Sequence, residues 1–102
     1  MPTQHHHANP VRRAHALAEW IDDLNLPPNI RNPLLRDLDA VVSRGHAVAG
    51  NSGHLRGLDA DGFRAQLARP GGGVVARVRG MGAGRIAALR ELLAASDERT
   101  AR

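Results

Sequence analysis

The sequence contains no cysteine, and Trp20 and Phe63 are its only aromatic residues. Without cysteine, the chain has neither a disulfide framework nor a thiolate metal site. Its 102 residues, 42% of them apolar, are enough for one small domain with a compact core. Because aromatic side chains are scarce, that core must be built from leucine, valine, isoleucine and alanine, a composition that favours helices over a sheet.

Long apolar runs are also missing. No stretch approaches the roughly 20 residues that span a membrane, and no signal-peptide pattern opens the chain. We therefore expect a cytoplasmic protein without a membrane partner.

Lysine is absent, so all fourteen basic residues are arginine. A GC-rich coding sequence explains this bias, and so does phosphate recognition by bidentate guanidinium groups; the two explanations are compatible. The distribution of charge is more informative. Residues 1–70 carry eight arginines and seven acids (net +1), residues 71–95 carry four arginines and one acid (net +3), and residues 96–102 are neutral. Most of the positive charge therefore lies within 71–95, as a nucleic-acid-binding surface requires.

Two segments combine an asparagine cap with a proline and a following apolar stripe. Asn9-Pro10 predicts the start of a first helix and Asn32-Pro33 the start of a second, because asparagine caps a helix and proline fits its first turn. Residues 25–28, with two prolines, separate these helices, and Arg44-Gly45 ends the second. The stripes consist of Val11, Ala14, Leu17, Ala18, Ile21 and Leu24, and of Leu34, Leu35, Leu38, Val41 and Val42.

A third, short helix is predicted from its cap at Asp59 to Ala68, with Phe63 and Leu67 on the core side. It follows residues 46–58, a glycine-rich stretch that we expect to be the longest loop of the domain.

The two ends of the chain are expected to lack stable structure. Residues 1–8 should be disordered and residues 96–102 should fray, which leaves a single helical domain over residues 9–95. His5 to His7 are either a weak metal-binding tract or the remnant of a tag. Adjacent imidazoles lack the spacing of a structural metal site, so we expect no metal site and no cofactor.

The chain is organised around residues 74–95, which predict a short helical turn, a glycine hairpin and a longer helix. Gly80 and Gly82 allow backbone conformations that a side chain would forbid, so two helices can meet across a tight turn. The apolar face of the longer helix consists of Ile86, Leu89, Leu92 and Leu93, and we expect Leu89 to be buried together with Leu38.

The start of this longer helix lacks a cap. The first amides of a helix have no intrahelical acceptor, and residues 82–84 contain no Ser, Thr, Asp or Asn to accept from them. Arg85 stands in the first turn, where the helix dipole disfavours a cation, so removing it is not expected to destabilise the free protein. Unused amides, bare glycine backbone and this arginine together indicate an external anion, and a nucleic-acid phosphate is the obvious candidate.

Residues 74–95 resemble a helix-hairpin-helix element, a unit that binds the DNA backbone. Together with residues 26–36, they resemble the C-terminal domain of the bacterial RNA polymerase alpha subunit over roughly residues 26–95, with an insertion in the middle. The matches to that family's Leu-Ser-x-Arg-x-x-Asn-x-Leu opening are Leu26, Asn32 and Leu34, and those to its later Ile-Arg-x-x-Gly-Arg-Lys-Ser-Leu stretch are Val78, Arg79, Gly82 and Ile86.

Two sites differ from the family. Asn29 stands where the family has its main DNA-contacting arginine, with Arg31 two residues away. Gly84 and Arg85 replace the family's Lys-Ser pair. The resemblance therefore supports the fold more than the recognition of a particular promoter element.

The resemblance implies an all-α fold, a compact bundle of about five short helices, that binds double-stranded DNA through its backbone. It also implies a role in transcription and a location at the nucleoid. For Arg31 and Arg36 two interpretations stay open, namely solvated surface arginines or contacts to phosphate or the minor groove. The candidate DNA-binding residues are Asn29, Arg31, Asn32, Arg36, Arg79, Gly80, Gly82, Gly84 and Arg85.

Catalytic patterns are not found in the sequence. The glycines of residues 80–84 form neither the dinucleotide fingerprint nor a P-loop, and no serine has a nucleophile-elbow context. Asp37 and Asp39 are two residues apart, so they cannot share a helical face. We therefore expect a protein that is not an enzyme and has no small-molecule substrate. The alternative to DNA binding is a protein-interaction module in which the Trp20 helix and residues 46–58 contact a transcription or replication partner.

Overall fold

Helices make up most of the described chain, which is residues 10–44 and 53–101 of a computed structural model. The elements are α1 (Pro10–Asp23), α2 (Pro28–Arg44), α3 (Ala60–Ala68), a 3₁₀ helix η1 (Pro70–Arg77) and α4 (Ala83–Ala101). These two ranges contain no strand, so the predicted all-α bundle of about five helices is confirmed. No helix within them is both long and apolar enough to cross a membrane. The predicted tail 1–8, with His5 to His7, and residues 46–52 of the predicted loop lie outside these ranges.

The first helix begins at Pro10, as predicted, whereas the second begins earlier than predicted. Its first residue is Pro28 rather than Pro33, and the Pro27 carbonyl accepts from the Arg31 amide at 2.8 Å. Pro28 fits the first helical position as well as Pro33 does, because an amide there has no intrahelical acceptor. Pro33 then lies inside α2, where it removes only the bond to the carbonyl of Asn29, an exposed residue that water can reach.

The core is aliphatic and surrounds one aromatic ring. Leu38 and Leu89 are 1% and 0% exposed, so their predicted burial is confirmed. Phe63 is fully buried, and the half-buried Trp20 meets it edge to face with ring centroids 5.5 Å apart. Trp20 is therefore a core anchor. The Arg64 guanidinium lies over the Trp20 ring, 5.3 Å from its centroid, in a cation–π contact.

The short helix α3 ends where the sequence predicts. The Asp59 side chain accepts from the Gly62 amide at 2.7 Å, and the helix closes at Ala68. At its other end, Arg90 of α4 donates to the carbonyls of Leu67 (3.0 Å) and Arg69 (2.8 Å). Arg90 therefore stabilises the fold by donating to carbonyls at the end of α3. Its charge is nevertheless part of the net +3 of residues 71–95 that the sequence analysis assigns to a binding surface.

A buried carboxylate fixes the chain that follows the predicted loop. Asp37 of α2 is 5% exposed and accepts from the amides of His54 (3.0 Å) and Leu55 (2.9 Å). Both bonds are between a charged acceptor and backbone donors, which is the stronger kind of hydrogen bond. Asp37 thus holds residues 53–57 against α2 and places the Leu55 side chain in the core.

The last helix extends past the predicted end of the domain at residue 95, because α4 continues to Ala101. Residues 94–101 contain neither glycine nor proline, so the helix has no breaker there. Asp97 also accepts from Arg64 of α3 at 2.7 Å, which ties this end of α4 to the bundle.

Candidate nucleic-acid interface

The hairpin before α4 depends on Gly80 more than on Gly82. Gly80 has a φ of +94°, and a Cβ there would lie 3.3 Å from the side chain of Pro33. Gly80 is therefore required both by its backbone conformation and by the close approach of α2. Gly82 does not have a positive φ and has open space around it, so the prediction that its backbone conformation requires glycine is wrong. The Met81 amide closes the turn on the Val78 carbonyl at 3.0 Å.

Three further glycines, Gly71 to Gly73, turn the chain from α3 into η1, and all have positive φ values. A Cβ on Gly72 would lie 3.2 Å from Ile86, and one on Gly73 would lie within 2.6 Å of Gln66. This turn packs η1 against α3 and directs the chain toward the hairpin. Because these three glycines have non-helical backbone and form a kink within η1, the helical turn that leads into the hairpin follows Gly73, in agreement with the prediction from Val74.

The start of α4 is uncapped, as the sequence predicts. Its first intrahelical bond joins the Ile86 amide to the Gly82 carbonyl at 3.0 Å, so the amides of Ala83, Gly84 and Arg85 precede the intrahelical ladder. No side chain in the described ranges accepts from these three amides. Gly82, Ala83 and Gly84 are all exposed, so this end of the helix faces solvent.

Arg85 is held at the hairpin by a bond that the sequence does not reveal. Its Nη1 donates to the Gly80 carbonyl at 2.6 Å, and the residue remains exposed. This bond offsets the unfavourable position of a cation in the first turn, so the expectation that removing Arg85 does not destabilise the protein is not supported by its contacts. A guanidinium has five N–H donors, and the bond to Gly80 leaves others for an external acceptor.

The hairpin and the start of α2 enclose an open groove of about 790 Å³. Its floor includes the buried side chains of Ile30 and Met81, which the sequence prediction did not include. Both are apolar neighbours of predicted site residues. They reach the groove because they are part of the core beneath it, and no functional group in the sequence marks them as site residues. The predicted site residues that line the groove are Asn29, Gly80, Gly82, Gly84 and Arg85.

Asn32 and Arg36 extend this surface along α2. They follow Asn29 at spacings of three and seven residues, so all three lie on one helical face, and all three are exposed. Pro33, which contacts the hairpin at Gly80, belongs to the same face. Arg36 has no hydrogen-bond or ion-pair partner among the described residues.

Four predicted site residues, Arg31, Asn32, Arg36 and Arg79, do not line the groove. Of these, Arg31 is directed toward another helix. It points from α2 toward α1, where its Nε and Nη2 both donate to Asp22, at 2.9 and 2.5 Å. The spacing of two residues turns Arg31 away from Asn29 and toward α1, while its Nη1 still reaches the Asn32 side chain at 3.3 Å. Sequence analysis missed this pairing because Asp22 and Arg31 belong to different helices.

The part of the chain that contains the hairpin carries arginines and no acid. No acidic residue occurs between Asp61 and Glu91. Arg79 in the hairpin is exposed and has no partner within residues 10–44 and 53–101; the same holds for Arg77, which the candidate set lacks. The surface made by Asn29, Asn32, Arg36, Arg79, Gly80, Gly82, Gly84 and Arg85 is called the hairpin surface below.

Comparisons with protein-family models, with curated proteins and with solved structures find no match to this chain. The resemblance to the polymerase alpha C-terminal domain therefore stays a prediction from residues 26–36 and 74–95.

Proposed function

We propose that the protein binds double-stranded DNA by its phosphate backbone, through the hairpin surface. The strongest support is that predicted residues from distant parts of the chain meet at one groove. Five of the nine residues chosen from the sequence line one open groove, although Asn29 and Arg85 are separated by more than fifty positions in the chain. The groove lies at the uncapped start of α4, where exposed amides and the helix dipole favour an anion.

The proposed contacts divide into amides and arginines. The amides of Ala83, Gly84 and Arg85 would bind one phosphate, and the guanidinium groups of Arg85, Arg79 and Arg36 would neutralise it and its neighbours. Such contacts carry little sequence information. The proposal assigns no base stacking to the two aromatic residues, because Phe63 is buried and Trp20 already contacts Phe63 and Arg64. Asn29 and Asn32 are the side chains that remain for contacts to base edges.

A protein-interaction module is the alternative function, and the described contacts support it less. Trp20, on the helix that this alternative places at the interface, already contacts both Phe63 and Arg64. A role in transcription and a place at the nucleoid belong to the DNA-binding proposal, since they come from the same resemblance.

Replacing Gly84 should affect stability and DNA binding in opposite directions. The site has open space for a side chain and no positive φ. Gly84→Glu should stabilise the protein by about 1 kcal/mol or slightly more, because glutamate is a better helix former and favours a helix N-terminus. The same carboxylate would repel a phosphate at these amides. We therefore expect a higher melting temperature together with weaker duplex binding, measured by thermal melts and a labelled-duplex titration.

Gly84→Ala is the matched control for that substitution. It should raise stability by about 0.5–1 kcal/mol through helix propensity alone and leave the affinity for DNA close to that of the parent. If Gly84→Glu bound duplex as tightly as Gly84→Ala, the start of α4 would not be part of the DNA-binding surface.

Replacing Arg85 should lower both the stability of the protein and its affinity for duplex DNA. Arg85→Ala removes the bond to the Gly80 carbonyl, so it should lower the free energy of unfolding by at most about 1 kcal/mol, since the bond is exposed. It should also weaken duplex binding and reduce the salt slope by about one unit. Arg99→Ala removes the same charge from the exposed last turn of α4 and should leave the slope unchanged. Equal slopes for Arg85→Ala and the parent would exclude a phosphate contact at Arg85.

A further inference from the structure

An ion pair between α1 and α2 occupies an arginine beside the hairpin surface. The Arg31 Nη2 and the Asp22 Oδ1 are 2.5 Å apart, and the two side chains are 39% and 57% exposed. Asp22 lies in the last turn of α1, where the helix dipole disfavours a carboxylate. Its position therefore does not stabilise its own helix, and its described partner is Arg31.

The geometry of this pair would allow another anion to replace Asp22 as the partner of Arg31. Nε and Nη2 donate to the same oxygen of Asp22, and Nη1 donates to the neutral Asn32 Oδ1 at 3.3 Å. A carboxylate or phosphate that offers two oxygens matches the guanidinium fork better than a single oxygen does. Exposed pairs of this kind are also weak, because both groups remain hydrated and are screened by salt.

The Arg31 guanidinium lies at the edge of the hairpin surface. Its Nη1 touches Asn32, which belongs to the exposed face of α2 that also carries Asn29 and Arg36. Because the guanidinium already touches Asn32, a phosphate bound at this edge of the face would be within reach of Arg31 after rotation about its side-chain bonds. While it is paired, the Asp22 charge cancels that of Arg31, so the pair would release no counterion on binding DNA.

We infer that Asp22 competes with DNA phosphate for Arg31 and so limits the affinity of the hairpin surface for duplex. This inference rests on the proposed function. We call this ion pair of Asp22 in α1 with Arg31 in α2 the charge clamp. While the pair is formed, Arg31 contributes little to binding. When Asp22 is neutralised, Arg31 becomes an additional phosphate contact.

The test compares three variants with the parent in titrations of a short labelled duplex at several salt concentrations. Asp22→Asn should bind roughly two- to fivefold more tightly, the range set by the strength of an exposed ion pair, with a salt slope steeper by about 0.9. The double variant Asp22→Asn with Arg31→Ala should lose both gains. Asp23→Asn removes an equal charge from the neighbouring exposed residue of α1 and should leave the salt slope unchanged.

The outcomes separate the inference from the proposed function. If the parent binds duplex but Asp22→Asn changes neither affinity nor slope, the clamp is wrong and DNA binding stands. If the double variant keeps the gain, or Asp23→Asn matches Asp22→Asn, the effect is general charge and the clamp is again wrong. If neither the parent nor Asp22→Asn binds duplex, the proposed function and the clamp both fail. Cooperative thermal melts for all four proteins show that each result comes from folded material.

Discussion

Phe63→Ala should destabilise the protein by about 3–5 kcal/mol, the cost of emptying a buried aromatic site. Phe63 is fully buried, and it is the ring against which Trp20 packs. Its removal therefore leaves a cavity and also exposes one side of the Trp20 ring. Small domains have about 5–15 kcal/mol of stability in total, so the variant should be close to unfolding at room temperature. Urea denaturation followed by Trp20 fluorescence would measure the change.

Phe63→Leu is the matched control, because it keeps most of the apolar volume. It should cost no more than about 1.5 kcal/mol, apart from the lost ring contact. A Phe63→Ala protein that unfolded at the parent's urea concentration would mean that the α1–α3 packing is wrongly described.

Gly73→Ala should be the second most damaging substitution, at about 2–5 kcal/mol, from backbone strain together with overpacking. Gly73 has φ +57° and ψ −141°, a region that only glycine adopts readily. An added Cβ would also lie 2.6 Å from the Gln66 carbonyl oxygen and even closer to the Gln66 side-chain oxygen. Gln66 would have to move, although its side chain accepts from the Val74 amide at 3.0 Å.

Gly71→Ala is the comparison variant, because it adds a side chain at a positive φ without a packing clash. Gly71 also has a positive φ (+78°), but a Cβ there would meet nothing within 4 Å. It should cost only about 1–2 kcal/mol, the penalty of a left-handed conformation for a residue with a side chain. Comparison of the two thermal melts would test the packing of η1 on α3. Equal losses would contradict a close approach between Gly73 and Gln66.

Local signals in the sequence predicted most of the fold. Asp59 caps α3 as expected, since its side chain reaches an amide only three residues away. The start of α2 was misplaced because Pro28 and Pro33 are both good first-turn residues, and the sequence alone does not decide between them. The polarity of the tail from Ser96 predicts no helix, but helix formers and the contact of Asp97 with Arg64 extend α4 through it to Ala101.

The candidate site shows the same division between local and distant contacts. The hairpin, its glycine at position 80 and the uncapped start of α4 follow from adjacent residues, so the sequence predicts them. The roles of Arg31 and Arg90 depend on partners in other helices, Asp22 and the end of α3. The sequence does not distinguish one arginine from another by its role. Packing then assigns one arginine to an ion pair, another to helix carbonyls, and leaves Arg36 and Arg79 exposed.

The most direct test of DNA binding is a titration of the unaltered protein with a labelled duplex over a series of salt concentrations. We expect the logarithm of the binding constant to fall linearly with the logarithm of the salt concentration. Three arginines that each neutralise one phosphate give a slope of about −2.7, at roughly 0.9 per contact. A duplex of unrelated sequence should give a similar slope, since backbone contacts set it. Absence of binding even at about 50 mM salt, the low end of the usual range, or binding with a slope near zero, would contradict DNA recognition through the hairpin surface.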